Sequence, residues 1–351
     1  MAPIYIGSTQ VSKVYKGNSE VSQAYLGDNA LLSTVPADGH KALVYAGNSG
    51  NQSLNFGFKP GIFWSKSRSV SGRNYLTYNI DSGRYVFPSS TQPEEGVGAT
   101  ISYTSTGIDL GSSFGWNWSG ATSYAGWAWG MPDSGTSNSD GSITTTTYAN
   151  TAAGQSMFTY TGNGNNATIG HGLDSTPEFV VIKTRSHTSD WPVYHSGLTN
   201  ASYRILFNSD IAQNTTNNPW NSTAPNSTTI SLKSDAGNVN SSGRTFWGWA
   251  MHSVPGYSKF GTYTGAGSSQ GITGLGFQPD MVWIKNRNAT DHWAAFDSAA
   301  GANKLIYISS HAQEESFTFS FDSDGFTVPS TSGMTNGSGV TYLYCAWKFS
   351  N

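Results

Sequence analysis

Pro279-Asp-Met-Val-Trp-Ile-Lys285-Asn-Arg287 is a strand-like apolar run that ends in two cations, and its frame, Pro-x5-Lys-x-Arg, occurs three times in the chain. The other copies are Pro60-Gly-Ile-Phe-Trp-Ser-Lys66-Ser-Arg68 and Pro177-Glu-Phe-Val-Val-Ile-Lys183-Thr-Arg185. A spacing held three times without slip marks an internal repeat, which sets the architecture before any single residue is read.

The match extends both ways from the frame. Upstream, each copy has an aromatic strand and a Gly turn: Val44-Tyr-Ala-Gly47, Thr159-Tyr-Thr-Gly162 and Thr262-Tyr-Thr-Gly265. Downstream come a short Ser element at Asp81, His195 or Asp297, and then a basic-to-apolar strand beginning at Arg84, Arg204 or Lys304. Each copy closes on an aromatic strand, carrying Trp127 and Trp129, Trp247 and Trp249, or Trp347. The spacing predicts units over 39–132, 156–255 and 256–351, each roughly 95 residues and large enough for a small core. The segment 133–155 is rich in Ser, Thr, Gly and Asn and reads as a linker or surface loop. The short junction at Pro255-Gly256 predicts closer packing between the second and third units than between the first and second.

Residues 1–38 carry a smaller repeat of period ten: Ile4-Tyr-Ile-Gly7, Val14-Tyr-Lys-Gly17 and Ala24-Tyr-Leu-Gly27. Three such strands predict a meander or three-layer wrap. So short a segment lacks a core of its own and must pack on something else, which makes Tyr5, Tyr15 and Tyr25 the expected assembly anchor.

Gly, Ser, Thr, Asn and aromatic residues dominate, only 11% of residues are charged, and no long run has helical apolar spacing. This composition predicts an all-β fold of three tandem antiparallel β-sandwich-like repeats behind a small N-terminal β segment. The net charge is −3 with scattered Lys and Arg, so the basic stripe that nucleic acid requires is missing. The start of the chain has no basic and apolar leader pattern, and no stretch reaches the length of a membrane span. The lone Cys345 sits in the closing strand of the third unit and reads as a small buried hydrophobe.

Chemistry is sparse. Glu94-Glu95 and Glu314-Glu315 are adjacent, so in extended chain their carboxyls point to opposite faces, which disfavours the convergent pair a glycosidase needs. The histidines lack metal-like spacing and read as loop and surface residues. Asp322-Ser-Asp324-Gly325 resembles the start of a calcium loop, but the aligned turns lack the acids, so an Asp-stabilised turn is the better account. Lys66, Lys183 and Lys285, with Arg68, Arg185 and Arg287, fall on one strand face. They invite reading as an anion or sugar-acid site, but their recurrence in all three units favours a scaffold role in which the stems cover apolar surface and the charged heads stay in water. Trp191 and Trp293 both fall eight residues after the signature Lys in polar loops, and are the candidate glycan-stacking residues.

The run Gly276-Phe-Gln-Pro279-Asp-Met-Val-Trp-Ile-Lys285-Asn-Arg287, with Phe296-Asp-Ser298 and the close Ala346-Trp-Lys348, resembles a repeat domain of virion structural proteins of marine bacteriophages, especially those of cyanobacteria. The Tyr-x-Gly repeats resemble the opening segments of phage structural proteins. The resemblance is strongest in the third unit and weakest in the first, where Gly61 and Ser65 depart from the pattern. It implies a non-catalytic tail-fibre or appendage protein located on the virion, without a cofactor. Its expected partners are other virion proteins, bound through the N-terminal segment, and further copies of itself in a homotrimer. A capsid decoration, a lectin-like adhesin for host surface glycan and a polysaccharide depolymerase are the competing expectations.

Overall fold

The computed structural model describes residues 35–350 except 79–83, 97–100, 113–114, 235–237 and 330–331, together with the backbone of short strands between residues 5 and 33. The fold is all-β, with antiparallel sheets. In the third unit the main sheet runs Ser258–Thr264, Thr341–Trp347, Met281–Asn286, Ala294–Asp297, Lys304–Tyr307, Glu315–Ser316, and a smaller sheet joins Gln270–Thr273, Gly325–Val328 and Ser320–Asp322. The first unit repeats this plan: its signature strand Pro60–Ser67 lies between Tyr124–Gly130 and Asn74–Tyr78, and its smaller sheet centres on Gly107–Leu110. In the second unit Phe179–Thr184 lies between Thr245–Met251 and Pro192–His195, and the smaller sheet pairs Ala167–Gly170 with Thr229–Leu232.

All three signature strands are buried along their full length, on both faces. Strand alternation sends Val282 and Ile284 into the sandwich core of the third unit with Ile272, Phe326 and Val328. Met281 and Trp283, one residue out of phase, enter a different core. The first unit divides in the same way, with Phe63 in its own sandwich and Ile62 and Trp64 in the other core. That other core is common to the three units. The continuous apolar run is therefore the signature of a strand covered on both sides.

Trp283 is the hub of the common core. Its ring lies 5.8 Å from both Trp64 and Trp129 of the first unit, 6.3 Å from Trp249 and 5.7 Å from Phe207 of the second, and 4.8 Å from its own Trp347. Most of these contacts are edge-to-face, the arrangement that the aromatic quadrupole favours. Strand register also corrects the alignment of the closing strands. Lys66, Lys183 and Lys285 face Ala125, Trp247 and Leu343, so Trp249 corresponds to Trp127, and Met251 takes the place of Trp129 and Trp347.

Segment 133–155 is not a linker. Thr136–Asn138 and Thr145–Asn150 extend the main sheet of the second unit, with Thr146 opposite Thr159. A run of β-branched threonines fits a half-buried strand, and Thr145 and Thr147 turn inward while Thr146 does not. At the N-terminus each ten-residue copy forms its own hairpin instead of one strand of a meander: Tyr5–Ile6 with Thr9–Gln10, Val14–Lys16 with Ser19–Val21, and Gln23–Leu26 with Asn29–Ser33. The side chains of Tyr5, Tyr15 and Tyr25 lie outside the described residues.

Replacing Trp283 by Ala removes the group that touches all three units, and is expected to cost about 3–5 kcal/mol. Chemical denaturation should show one lowered midpoint for the whole body. A loss confined to the third unit's signals would contradict a common core.

Candidate functional site

The signature cations meet at the seams between units. Lys66 Nζ donates to the carbonyls of Ser310 and Ala312 in the third unit at 3.0 and 2.9 Å. Lys183 Nζ donates to Thr91 O of the first unit at 2.9 Å and to its own Ser189 O, and Lys285 Nζ to Asp210 O of the second unit at 3.1 Å and its own Asn286 O. The first unit thus grips the third, the third the second, and the second the first. Equivalent head-to-tail contacts that close after three units make a ring, here within one chain.

Main-chain bonds repeat the pattern at every seam. Glu94 N donates to Arg185 O, Glu314 N to Arg68 O and Gln213 N to Arg287 O, at 2.8, 2.9 and 3.0 Å. A second set runs from Ser189 N to Thr91 O, Gly72 N to His311 O and Asp291 N to Asp210 O. Two seams add an ion pair: Arg68 Nε with Glu314 at 2.5 Å and Arg185 Nε with Glu94 at 2.6 Å. The seam between the second and third units carries Gln213 at that place.

The lysine heads are not in water. Lys66, Lys183 and Lys285 are 1%, 0% and 0% exposed, because their strand face abuts the next unit and carbonyl oxygens replace solvent. The scaffold reading of these residues agrees with their contacts, whereas the expectation of wet heads does not. Burial pulls the Lys66 and Lys183 amines down to about 7 and the Lys285 amine down to about 8.

Trp191 and Trp293 are seam residues too. Both are fully buried, so neither offers a face to a sugar, and the glycan-binding assignment for them is corrected. Each indole N–H crosses to the neighbouring unit, from Trp191 to Ser90 O at 3.0 Å and from Trp293 to Leu206 O at 2.9 Å. Asn74 holds the same place in the first unit and donates to Ile308 O at 3.1 Å. The polar sequence around the two tryptophans reflects neighbouring loop backbone, which a buried N–H needs as acceptor.

A second repeated constellation escaped the sequence reading. Buried Asn117, Asn240 and Asn336 accept main-chain amides just beyond the Gly turns, from Asn48, Asn163 and Ala266. A Cβ on Gly47, Gly162 or Gly265 would fall 2.1, 2.3 or 2.3 Å from a carbonyl oxygen of Trp118, Ser241 or Gly337, so only glycine fits. The available signal was an Asn six or seven residues ahead of the closing aromatic, at Tyr124, Phe246 and Tyr342.

The remaining candidates are structural in their contacts. Glu94 enters a seam while Glu95 accepts from Tyr85 in its own unit, so the pair diverges. Asp324 accepts the amides of Gly274 and Gly276, as an Asp-stabilised turn requires. Cys345 is fully buried, and burial pushes its thiol well up. His40, His171 and His195 are interior rather than surface residues, because each ring nitrogen faces a main-chain or side-chain partner inside the body. Among the described residues, no three His, Cys, Asp or Glu side chains gather as a metal would need.

Residues 35–347 match the family model described as "Domain of unknown function (DUF7483)". No curated protein and no solved structure matches the chain.

The seams carry a pH signature. An amine whose folded value is lowered holds a proton in the unfolded chain but not in the native one, so stability rises with pH between about 7 and the ordinary lysine value of about 10.4. Burial also pulls His40 down to about 3 and His195 to about 4, which has the same sign between pH 6.5 and those values. The unfolding midpoint should therefore climb from pH 7 to about 9.5. Replacing the three lysines by Met should flatten that limb, whereas an unchanged slope would show that other groups set it.

Proposed function

Starting from a chain that belongs to the DUF7483 family, a domain of unknown function, we propose a non-catalytic structural role on the particle of a tailed bacteriophage, as a tail-fibre or appendage component. The observation that supports this most is how the repeated residues are used. The Lys, Arg and Trp positions that recur hold three units in one ring through bonds to neighbouring backbone, and among the described residues no metal-like cluster of His, Cys, Asp or Glu accompanies them. A body of that kind suits mechanical display.

In this reading, residues 1–34 attach the ring to other virion proteins. Three chains joined through these segments form the homotrimer expected of a fibre, and each projects one three-unit ring towards the host surface. The resemblance of the third-unit signature and of the Tyr-x-Gly repeats to marine phage virion proteins favours the same role.

The test is the protein content of purified particles released under the genome that encodes this chain. The chain should be a stoichiometric component, and deleting residues 1–34 should remove it from particles while the remainder still folds by circular dichroism. Recovery of the intact chain only from the soluble lysate would overturn the proposal.

A further inference from the structure

The three seams differ at one chemically decisive position. Glu94 bridges two cations: its Oε2 takes Arg185 Nε of the second unit at 2.6 Å, and its Oε1 lies 3.6 Å from Arg84 Nε of its own unit. Glu314 does the same between Arg68 of the first unit, at 2.5 Å, and its own Lys304, at 3.3 Å. At the third seam the backbone bond from Gln213 N to Arg287 O fixes Gln213 as the equivalent residue. Its amide is turned away to Thr199, accepting from Thr199 N at 3.0 Å and donating to Thr199 Oγ1 at 2.7 Å.

Two guanidinium groups are left short at this seam. Arg287 donates through Nη1 to Gly197 O and through Nη2 to Thr341 Oγ1, but its buried Nε has no hydrogen-bond partner among the described residues. Arg204 of the second unit, 5% exposed, donates through Nε to Asn214 Oδ1 at 3.4 Å and is favoured by the charge of Asp190, but its buried Nη1 has no hydrogen-bond partner among the described residues. Neither arginine has a carboxylate within ion-pair distance among the described residues. Arg68 Nε and Arg185 Nε, the counterparts of Arg287 Nε, each meet one.

We propose that the seam between the second and third units is an anion site that takes a small carboxylate, with Arg287 Nε as its principal donor, where Glu94 and Glu314 supply the carboxylate of the other two seams. A planar guanidinium recognises a planar carboxylate better than a spherical halide, because two parallel N–H groups match two oxygens. The site is independent of any virion role, since it rests on the seam alone.

Thermal unfolding of the full chain in sodium acetate, against sodium chloride at the same ionic strength and pH, tests it. Acetate at several times its dissociation constant should raise the unfolding midpoint by about 2 °C. Gln213→Glu should raise the midpoint in chloride and abolish the acetate increment, because the carboxylate is then built in. Gln213→Ala removes the amide without adding a carboxylate and should keep the increment, while Arg287→Met should lose it. Equal acetate increments in the native chain and in Gln213→Glu would mean a general salt effect and overturn the site, as would the absence of any increment in the native chain. Sodium phosphate matching acetate in the native chain and failing in Gln213→Glu would support the anion site but overturn its preference for a carboxylate.

Discussion

Everything in this structure follows from a central strand that must be covered on both faces. Pro60–Ser67 and Met281–Asn286 each present one face to the sandwich of their own unit, and in the second unit, whose central strand is Phe179–Thr184, the sandwich is continuous with the common core. The opposite face, carrying Trp64, Val181 or Trp283, has no cover within the unit. Exposed, it would be a large aromatic patch. Three units solve the problem together by turning these faces inward, where Trp283 touches residues of every unit.

Closure around that core explains why the cations recur with such strict spacing. Once the second face meets a neighbour, the next residues of the same phase, Lys66, Lys183 and Lys285, land on the neighbour's loop backbone. A buried amine needs acceptors, and the carbonyls at the seam provide them. The following cation, two residues on, reaches a glutamate or the main chain at the rim of the seam. Core, amine and guanidinium are thus one phase of one strand, read outwards from the centre of the ring.

The sequence made the repeat, the strand content and the Gly turns legible, because each depends on local pattern: the fixed frame, the β-branched and aromatic alternation, and the glycines at 47, 162 and 265. It could not show which partner covers a strand face. Period-two alternation states that Lys285 and Trp283 share a side but not whether water or another unit lies there. For the same reason Trp191 and Trp293 looked like exposed platforms: polar neighbours in sequence suggested solvent, whereas the indoles point across a seam to Ser90 and Leu206. Thr145–Asn150 looked like linker because Thr is common to loops and half-buried strands, and only the neighbouring strands Thr136–Asn138 and Gln155–Thr161 decide between them. Asn117, Asn240 and Asn336 were hidden by loops of unequal length between the repeated strands.

The claim on which this account rests is that the three units form one closed ring rather than beads in a row. Small-angle X-ray scattering of residues 35–351, without the segment that joins chains in the proposed trimer, measures it directly. A single compact body of this length has a radius of gyration of about 20 Å, whereas three units of about 13 Å each, set in line, give about 28 Å. The account predicts the smaller value, unchanged on dilution, and the larger value would contradict it.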